Sequence, residues 1–373
     1  LMAKYRIAWM PGDGIGVDVM DAARIVLDKL NLDAEYLPAD IGWEFWKTEG
    51  DALPQRTLDL LGEVDCGLFG AITSKPKDEA QAELSPELQG KGLSYRSPIV
   101  RLRQKLQLYY NLRPCKAYPG NPLNYRDNID LVIFRENAEG LYSGVEFHPV
   151  ADEVREMMKK YAPALGNFDD VPGEEMAMTT RVVTIRGATR IIRRAFEYAA
   201  KHGYPTVTLV EKPNVLRETS GMMVRVAREI KQEYPNIELW ETNIDAQVMW
   251  LLKNPEDYGV IVTGNLFGDI VSDLSAQLVG GLGFASSGNI GDELAVFEPT
   301  HGSAPKYAGK YVSNPNAMLL TTKMMLDWLG ETEMAQRLEK AIADVILEGK
   351  VRTYDMGGES STIDVATAVA ERL

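Results

Sequence analysis

Cysteine and histidine are both scarce in this 373-residue chain: two cysteines, Cys66 and Cys115, and three histidines, His148, His202 and His301. The cysteines share no CxxC or other metal-type spacing, so a thiolate zinc site is excluded by count. A reducing compartment, taken as cytoplasmic, is the simple expectation. No serine or cysteine nucleophile signature accompanies a histidine, which leaves a hydrolase triad without support. Basic charge is not in excess either. The 40 Lys and Arg stand against 54 Asp and Glu, a formal net charge of −14, and a nucleic-acid binder needs the opposite balance to neutralise phosphates. No apolar run approaches the roughly 18 residues of a membrane span, and no secretory leader is evident ahead of the first strand-like run. Neither membrane nor nucleic acid is expected as a partner. Internal repeats and low-complexity tracts are missing as well.

What is present is an ordinary globular balance, 45% apolar and 25% charged residues, in a chain long enough for two domains or one elaborate α/β body. Short apolar runs at 6–10, 66–69, 131–134, 206–210 and 260–263 read as buried strands. Helical spacing follows at 17–30, 219–233 and 270–278, and the tail beyond Asn314 is mostly helical with breaks at Gly330 and Gly349. Such alternation predicts an α/β fold with a largely parallel sheet. The polar, proline-containing stretch 147–175 breaks the alternation. It reads as an inserted arm, with one short helix over 153–161, or as a long surface loop.

Four constellations carry chemistry. In Asn265-Leu-Phe-Gly-Asp-Ile-Val-Ser-Asp273, Gly268 is read as a turn and the two aspartates, four apart, share one helix face. Close carboxylates repel unless a cation lies between them, and hard Mg²⁺ or Mn²⁺ takes such oxygen ligands. The alternative is a cap at Asp269 with a solvated Asp273; the Ile, Val and Leu around them favour the metal. Arg103, Arg113 and Arg135 stand in apolar settings, where a buried guanidinium needs an anion. Together they would clamp a substrate with several carboxylates; singly, each would pair with a structural Asp or Glu. Gly12-Asp-Gly-Ile-Gly16 follows a strand, but Val17 replaces the third glycine of a dinucleotide loop, so it reads as a tight turn and not a Rossmann unit. Finally, the loop from His301 through Lys306 and Tyr307 to Asn314 is glycine- and proline-punctuated ahead of a helix.

Taken together, these segments resemble the isocitrate and 3-isopropylmalate dehydrogenase family, from Pro11-Gly-Asp-Gly-Ile-Gly to Gly357-Gly-Glu-Ser-Ser-Thr. The most specific stretch is Gly264-Asn-Leu-Phe-Gly-Asp-Ile-Val-Ser-Asp, continued by Gly280-Gly-Leu-Gly and Gly288-Asn-Ile-Gly-Asp. The resemblance implies a non-Rossmann α/β fold with a large domain (1–108 and 280–373), a small domain (109–139 and 186–279) and a clasp arm (140–185) that joins a homodimer. The arm's length is similar to that of bacterial isocitrate dehydrogenases. It implies substrate carboxylates on Arg103, Arg113 and Arg135, and metal on Asp269 and Asp273 with Asp245 from the other subunit. Tyr142 would be the protonating acid and Lys212, again from the other subunit, would act in proton transfer. Thr73, His301, Gly302, Lys306, Tyr307 and Asn314 would line the cofactor site. A tyrosine normally near pKa 10 needs a cationic neighbour to exchange protons at neutral pH.

Substrate signals conflict. Arg135-Glu-Asn-Ala-Glu-Gly-Leu-Tyr-Ser-Gly-Val-Glu-Phe and Ser97 are similar to isocitrate enzymes. Ile99 and Phe69 stand where those enzymes carry Asn and Lys, and Val100 where homoisocitrate enzymes tend to carry Arg. Isocitrate is favoured, with 3-isopropylmalate and homoisocitrate as alternatives. Lys306-Tyr307 resembles the pair that takes the 2′-phosphate of NADP, which is favoured over NAD. A non-catalytic regulatory subunit of the same fold is the remaining alternative, but such subunits tend to lose Tyr142, Lys212 or a metal aspartate, and all are present here.

Overall fold

The computed structural model describes residues 3–373. Among them are the strands β1 (Tyr5–Gly12), β2 (Ala34–Pro38), β3 (Cys66–Ala71), β4 (Tyr110–Lys116), β5 (Asp130–Glu136), β6 (Glu146–Phe147), β7 (Met178–Thr179), β8 (Thr206–Glu211), β9 (Glu238–Asn243), β10 (Val260–Thr263), β11 (Ser286–Ile290) and β12 (Ala295–Pro299). Ten of these form one sheet in the order β2-β1-β3-β12-β11-β4-β5-β10-β8-β9. The two wings are parallel, as the strand–helix alternation predicts. The centre is not: β12-β11, β11-β4 and β4-β5 are antiparallel. Strands β11 and β12 form a hairpin closed by Gly291 N–H donating to the Leu294 carbonyl. The apolar-run criterion passes over β11 because its sequence, Ser-Ser-Gly-Asn-Ile, is polar although every residue is buried.

Helices cover both faces. Ile15–Leu30, Asn316–Trp328, Thr332–Glu348 and Thr362–Ala370 pack on β1, β3, β11 and β12, so the largest core draws on both ends of the chain. Ile185–His202 and Thr219–Lys231 pack on β5, β8 and β10 in a second core. The sheet runs unbroken through the β11–β4 ladder, between the strands under the first core and those under the second. Val19, Met20, Ala23, Val26, Leu27 and Leu30 make the buried stripe of Ile15–Leu30, a full apolar face at helical spacing.

The stretch set apart by its composition has its own local structure. Its root is a backbone bridge between Gly140 and Val182, followed by the β6–β7 ladder and the helix Asp152–Tyr161. Among the described residues no helix is long and apolar enough to cross a membrane.

Two local expectations are corrected. The helix bearing the two aspartates starts at Asn265, after Gly264 at its cap, so Gly268 is not the turn and Asp269 is not the cap. Nor is the aspartate pair enclosed by apolar residues: Ile270 is half exposed. The reason for Gly268 lies elsewhere. A Cβ there would sit 2.6 Å from Arg135 Cγ. Gly to Ala inside a helix ordinarily stabilises by about 0.5–1 kcal/mol, whereas overpacking costs about 1–3 kcal/mol. Gly268→Ala is therefore expected to lower Tm, and to raise KM for any substrate held by Arg135, as thermal melts and steady-state kinetics would show.

Candidate active site

Cross-strand pairing sets a row of polar residues into an apolar sheet. Asn289 of β11 lies opposite Asn111 of β4, Asn111 opposite Arg135 of β5, and Arg135 opposite Thr263 of β10. Directly opposed residues share a face, so the row lies on one side of the sheet. Arg135 and Thr263 stand at the carboxyl ends of β5 and β10, where open α/β sheets place their ligands.

Arg103 comes from the helix Pro98–Lys105 and is buried. Its Nε donates to Asn289 Oδ1 (2.7 Å) and its Nη2 to Glu298 Oε1 (3.0 Å). Asn111 and Asn137 also donate to Asn289 Oδ1, each at 2.9 Å. Arg113 Nη1 donates to Ser272 Oγ (2.6 Å) and bridges Asp273 (3.2 Å) and Asp269 (3.4 Å). Arg135, 2% exposed, is held by the Asn265 side chain and carbonyl and pairs with Asp269 Oδ1. Tyr142, on the short turn Leu141–Ser143, donates to Asp269 Oδ2 at 2.7 Å, and the Arg135 guanidinium lies 5.2 Å from its ring centre. One continuous cluster thus joins all three arginines, both aspartates of the helix and Tyr142.

The electrostatics follow from this crowding. Burial alone would raise the Asp269 pKa, but Arg135 and Arg113 outweigh it and hold the carboxyl below its ordinary value. Asp273 moves the other way, raised by burial and by its neighbour Asp269. Burial and the adjacent Arg113 and Arg103 lower Arg135. Tyr142 is raised, by burial and by its bond to Asp269. The cationic neighbours Arg135 and Arg103 pull it down, against burial and the Asp269 carboxylate, which outweigh them in the single chain.

Asp269 and Asp273 are hard oxygen donors with side chains 33% and 62% exposed, a donor set that suits Mg²⁺ or Mn²⁺. Among the described residues, no set of three or more His, Cys, Asp or Glu side chains converges. Asp245 is elsewhere: it pairs with Lys212 Nζ at 2.5 Å, and neither makes an ion pair or hydrogen bond with the Asp269 cluster.

A second cavity, about 380 Å³, is lined by His301, Gly302, Tyr307 and Asn314 together with Tyr354 and Asp355. Asn314 Nδ2 donates to Asp355 (3.0 Å), and the rings of Tyr307 and Tyr354 are 6.3 Å apart. Lys306 is exposed on the turn Pro305–Tyr307 beside it. His301 Nδ1 faces the Gly302 carbonyl, while Nε2 is buried without a partner, and burial lowers the pKa of the ring. An orphaned ring nitrogen on a cavity wall fits a heteroaromatic ligand that can complete its hydrogen bond. Thr73 joins this loop to the first strand: its N–H donates to Asp13 (2.8 Å) and its hydroxyl meets Ser303 (2.6 Å). The glycine loop is the tight turn expected of it. Gly14 has φ +55°, and a Cβ there would overlap the Ser303 carbonyl.

The specificity positions divide. Ser97 caps the helix Pro98–Lys105 without using its side chain as the cap, and Val100 is half-buried. Phe69 is fully buried in the core that Ile99 also packs against. Asn111, Asn265, Ser272, Asn289 and Glu298 support the arginines but escape sequence reasoning. The signal that would have found them is a polar residue at a buried strand or helix position.

The sequence pattern of the isocitrate/isopropylmalate dehydrogenase family matches residues 6–369. The chain is 42% identical over 368 residues to Protein DlpA of Legionella pneumophila, covering 98% of this chain but spanning only 58% of that protein's length. It is 42% identical to a 3-isopropylmalate dehydrogenase of Methanothermobacter thermautotrophicus, with 100% and 99% of the two chains covered. An isocitrate/homoisocitrate dehydrogenase of Thermus thermophilus is 39% identical, with 99% and 98% covered. The crystal structure of isocitrate dehydrogenase from Methylococcus capsulatus superposes with a TM-score of 0.85 at 37% identity, with 99% of both chains covered. A match that spans nearly every residue, on a fold and a site of this kind, shows that the chain belongs to the isocitrate/isopropylmalate dehydrogenase family of β-decarboxylating dehydrogenases.

Proposed function

We propose that the protein catalyses the metal-dependent oxidative decarboxylation of isocitrate to 2-oxoglutarate and CO₂, with NADP as hydride acceptor. The observation that carries this reading is the charge balance of the cluster. Three guanidiniums, Arg103, Arg113 and Arg135, meet three carboxylates, Glu298, Asp269 and Asp273. A divalent cation on the two aspartates adds two positive charges to a half-buried site, and a substrate bearing two or three carboxylates offsets them. A monocarboxylate would leave the arginines under-compensated.

A bound Mg²⁺ or Mn²⁺ would polarise the oxygen at C2 as a Lewis acid, and a bound nicotinamide would take the hydride from that carbon. Arg113 and Arg135, released from the aspartates, bind substrate carboxylates through paired N–H groups and fix the carbon that reacts. Arg103, anchored by Glu298 and Asn289, presents a third guanidinium. Tyr142, whose hydroxyl already donates to Asp269 beside the arginines, is placed as the acid that protonates the carbon that CO₂ leaves. Lys212 and Asp245 pair with each other away from this cluster, which supports a homodimer in which they complete the partner's site.

Phe69 and Ile99 favour a second reading. By resemblance Phe69 replaces a substrate-binding lysine of isocitrate enzymes, and here it belongs to an apolar core that Ile99 joins, a character that suits the branched alkyl group of 3-isopropylmalate. The ratio of kcat/KM for isocitrate to that for 3-isopropylmalate decides between them; the proposal expects it above one. A hydrophobic-pocket preference reaches only about 10- to 200-fold, so measurable activity on both is expected.

The cofactor reading rests on exposed Lys306 beside Tyr307 and Tyr354 at the cavity. Lys306→Asp removes an ammonium and adds a charge that repels a 2′-phosphate. It should lower the NADP/NAD ratio of kcat/KM about tenfold or more, as one charge-assisted contact is worth about 1.5–3 kcal/mol. An unchanged ratio would remove Lys306 from the cofactor site.

A further inference from the structure

Glu211, the last residue of β8, is 1% exposed and carries a charge no step above uses. Its Oε1 accepts from Gly264 N–H (3.1 Å) and from Arg181 Nη2 (3.0 Å). Its Oε2 accepts from Arg181 Nη2 (2.8 Å) and Ser220 Oγ (2.5 Å). The three donors come from three different elements. Gly264 is the residue that starts the helix bearing Asp269 and Asp273. Ser220 lies in the helix Thr219–Lys231, and its hydroxyl also receives the N–H of Lys212 (3.3 Å). Arg181 stands next to Val182 at the root of the arm, donates to Thr219 (3.1 Å) and Ser220 (2.9 Å), and lies 5.2 Å from the Phe267 ring.

We infer that Glu211 is a positioning residue that fixes the metal-bearing helix, the strand end carrying Lys212 and the root of the arm in one buried joint. The inference rests on the proposed metal site. A buried ion pair is a poor device for stability, because apolar residues of the same volume often do as well or better. What it supplies is direction: a carboxylate with every lone pair engaged admits one arrangement of its donors. The anion also sits at a helix N-terminus, where it complements the unsatisfied N–H groups. Gly264 is part of the same joint. Its φ of −63° suits any residue, yet a Cβ there would lie 2.8 Å from Arg181 Nη2 and 2.9 Å from Glu211 Oε1. Glycine at this position is needed for the pair to reach the helix start. Asn265, the next residue, bonds the Glu139 carbonyl on the other side of the arm root and also holds Arg135. A displacement of the joint therefore moves the metal ligands and a substrate arginine together, while no residue of the joint lines the His301 cavity.

The test is direct Mn²⁺ binding, read from the free-ion EPR signal, on full-length purified protein: wild type, Asp269→Asn, Glu211→Ala, Glu211→Gln and Gly264→Ala. Circular dichroism and gel filtration establish folding and assembly. Wild type is expected to bind Mn²⁺ in a mode that Asp269→Asn removes. Glu211→Ala should weaken that mode at least tenfold and lower kcat at least tenfold, with KM for the cofactor within about twofold. Gly264→Ala, which removes no charge, should shift both in the same direction. Glu211→Gln, which keeps one acceptor oxygen, enough for Gly264 N–H but with an NH2 facing Ser220 and Arg181, should fall between Ala and wild type. If Glu211→Ala does not fold, Gly264→Ala and Glu211→Gln decide. Folded variants with the wild-type Mn²⁺ midpoint and wild-type kcat overturn the inference while leaving the metal reading intact. Absence of any Asp269-dependent Mn²⁺ binding in the wild type overturns the metal reading, and the inference with it.

Discussion

Asp269→Asn is expected to lower kcat by about three orders of magnitude or more and to lower Tm as well, whereas Asp273→Asn should match the first effect and not the second. Both carboxylates would hold the metal, and losing one groups the defect with removal of a main electrostatic contributor, about 10²–10³ in rate, and with loss of Lewis-acid polarisation. They differ in the free protein. Asp269 accepts from Arg135, Arg113 and Tyr142. Its replacement leaves the buried Arg135 charge short of its anion, a defect of about 1–3 kcal/mol after allowance for the third of the Asp269 side chain that is exposed. Asp273 is largely exposed and contacts only Arg113. A polycarboxylate ligand should restore part of the Tm lost in Asp269→Asn by supplying the missing negative charge. Steady-state kinetics and melts with and without isocitrate measure all of this. Normal turnover by Asp273→Asn would remove it from the metal site.

Tyr142→Phe and Lys212→Met, each purified alone, are expected to lose activity by about 10²–10⁴, the range for a positioned proton donor or acceptor. Unfolded and refolded together in equal amounts, they should recover about a quarter of wild-type activity. Random pairing makes half of all dimers mixed, and in a mixed dimer one of two sites receives an intact Tyr142 from one chain and an intact Lys212 from the other. The motivation is structural: Tyr142 lies within the Asp269 cluster, while Lys212 is tied to Asp245 outside it. Mixtures no more active than their components would place both groups in the site of a single chain or remove Lys212 from it.

The parts of the fold that sequence reveals are those where burial and apolar character coincide. Strands β3, β5, β8 and β10 are continuous apolar runs and are found at the expected positions. Strand β11 is hidden because its polar Ser287 and Asn289 are buried within hydrogen-bonded networks. A polar residue satisfied by its neighbours leaves no hydrophobic trace. The antiparallel centre of the sheet is lost with it. The four-residue spacing of Asp269 and Asp273 is legible because helical geometry fixes it. The helix start is misjudged because Gly268 looks like a turn, whereas it is there to let Arg135 lie against the helix. The arginines are legible as charges in apolar surroundings, but the partners each would choose are not. Glu211 sits beside Lys212 in the sequence, and its role depends on three donors up to 53 residues away, which spacing cannot reveal.

The most direct test of the account is turnover by the purified protein with Mg²⁺ or Mn²⁺ and either NADP or NAD, offered isocitrate, 3-isopropylmalate and homoisocitrate in turn. The account predicts equimolar reduced cofactor and CO₂, abolished by chelating the metal, with isocitrate and NADP the preferred pair. Absence of cofactor reduction with all three acids, from folded protein with metal present, would contradict it.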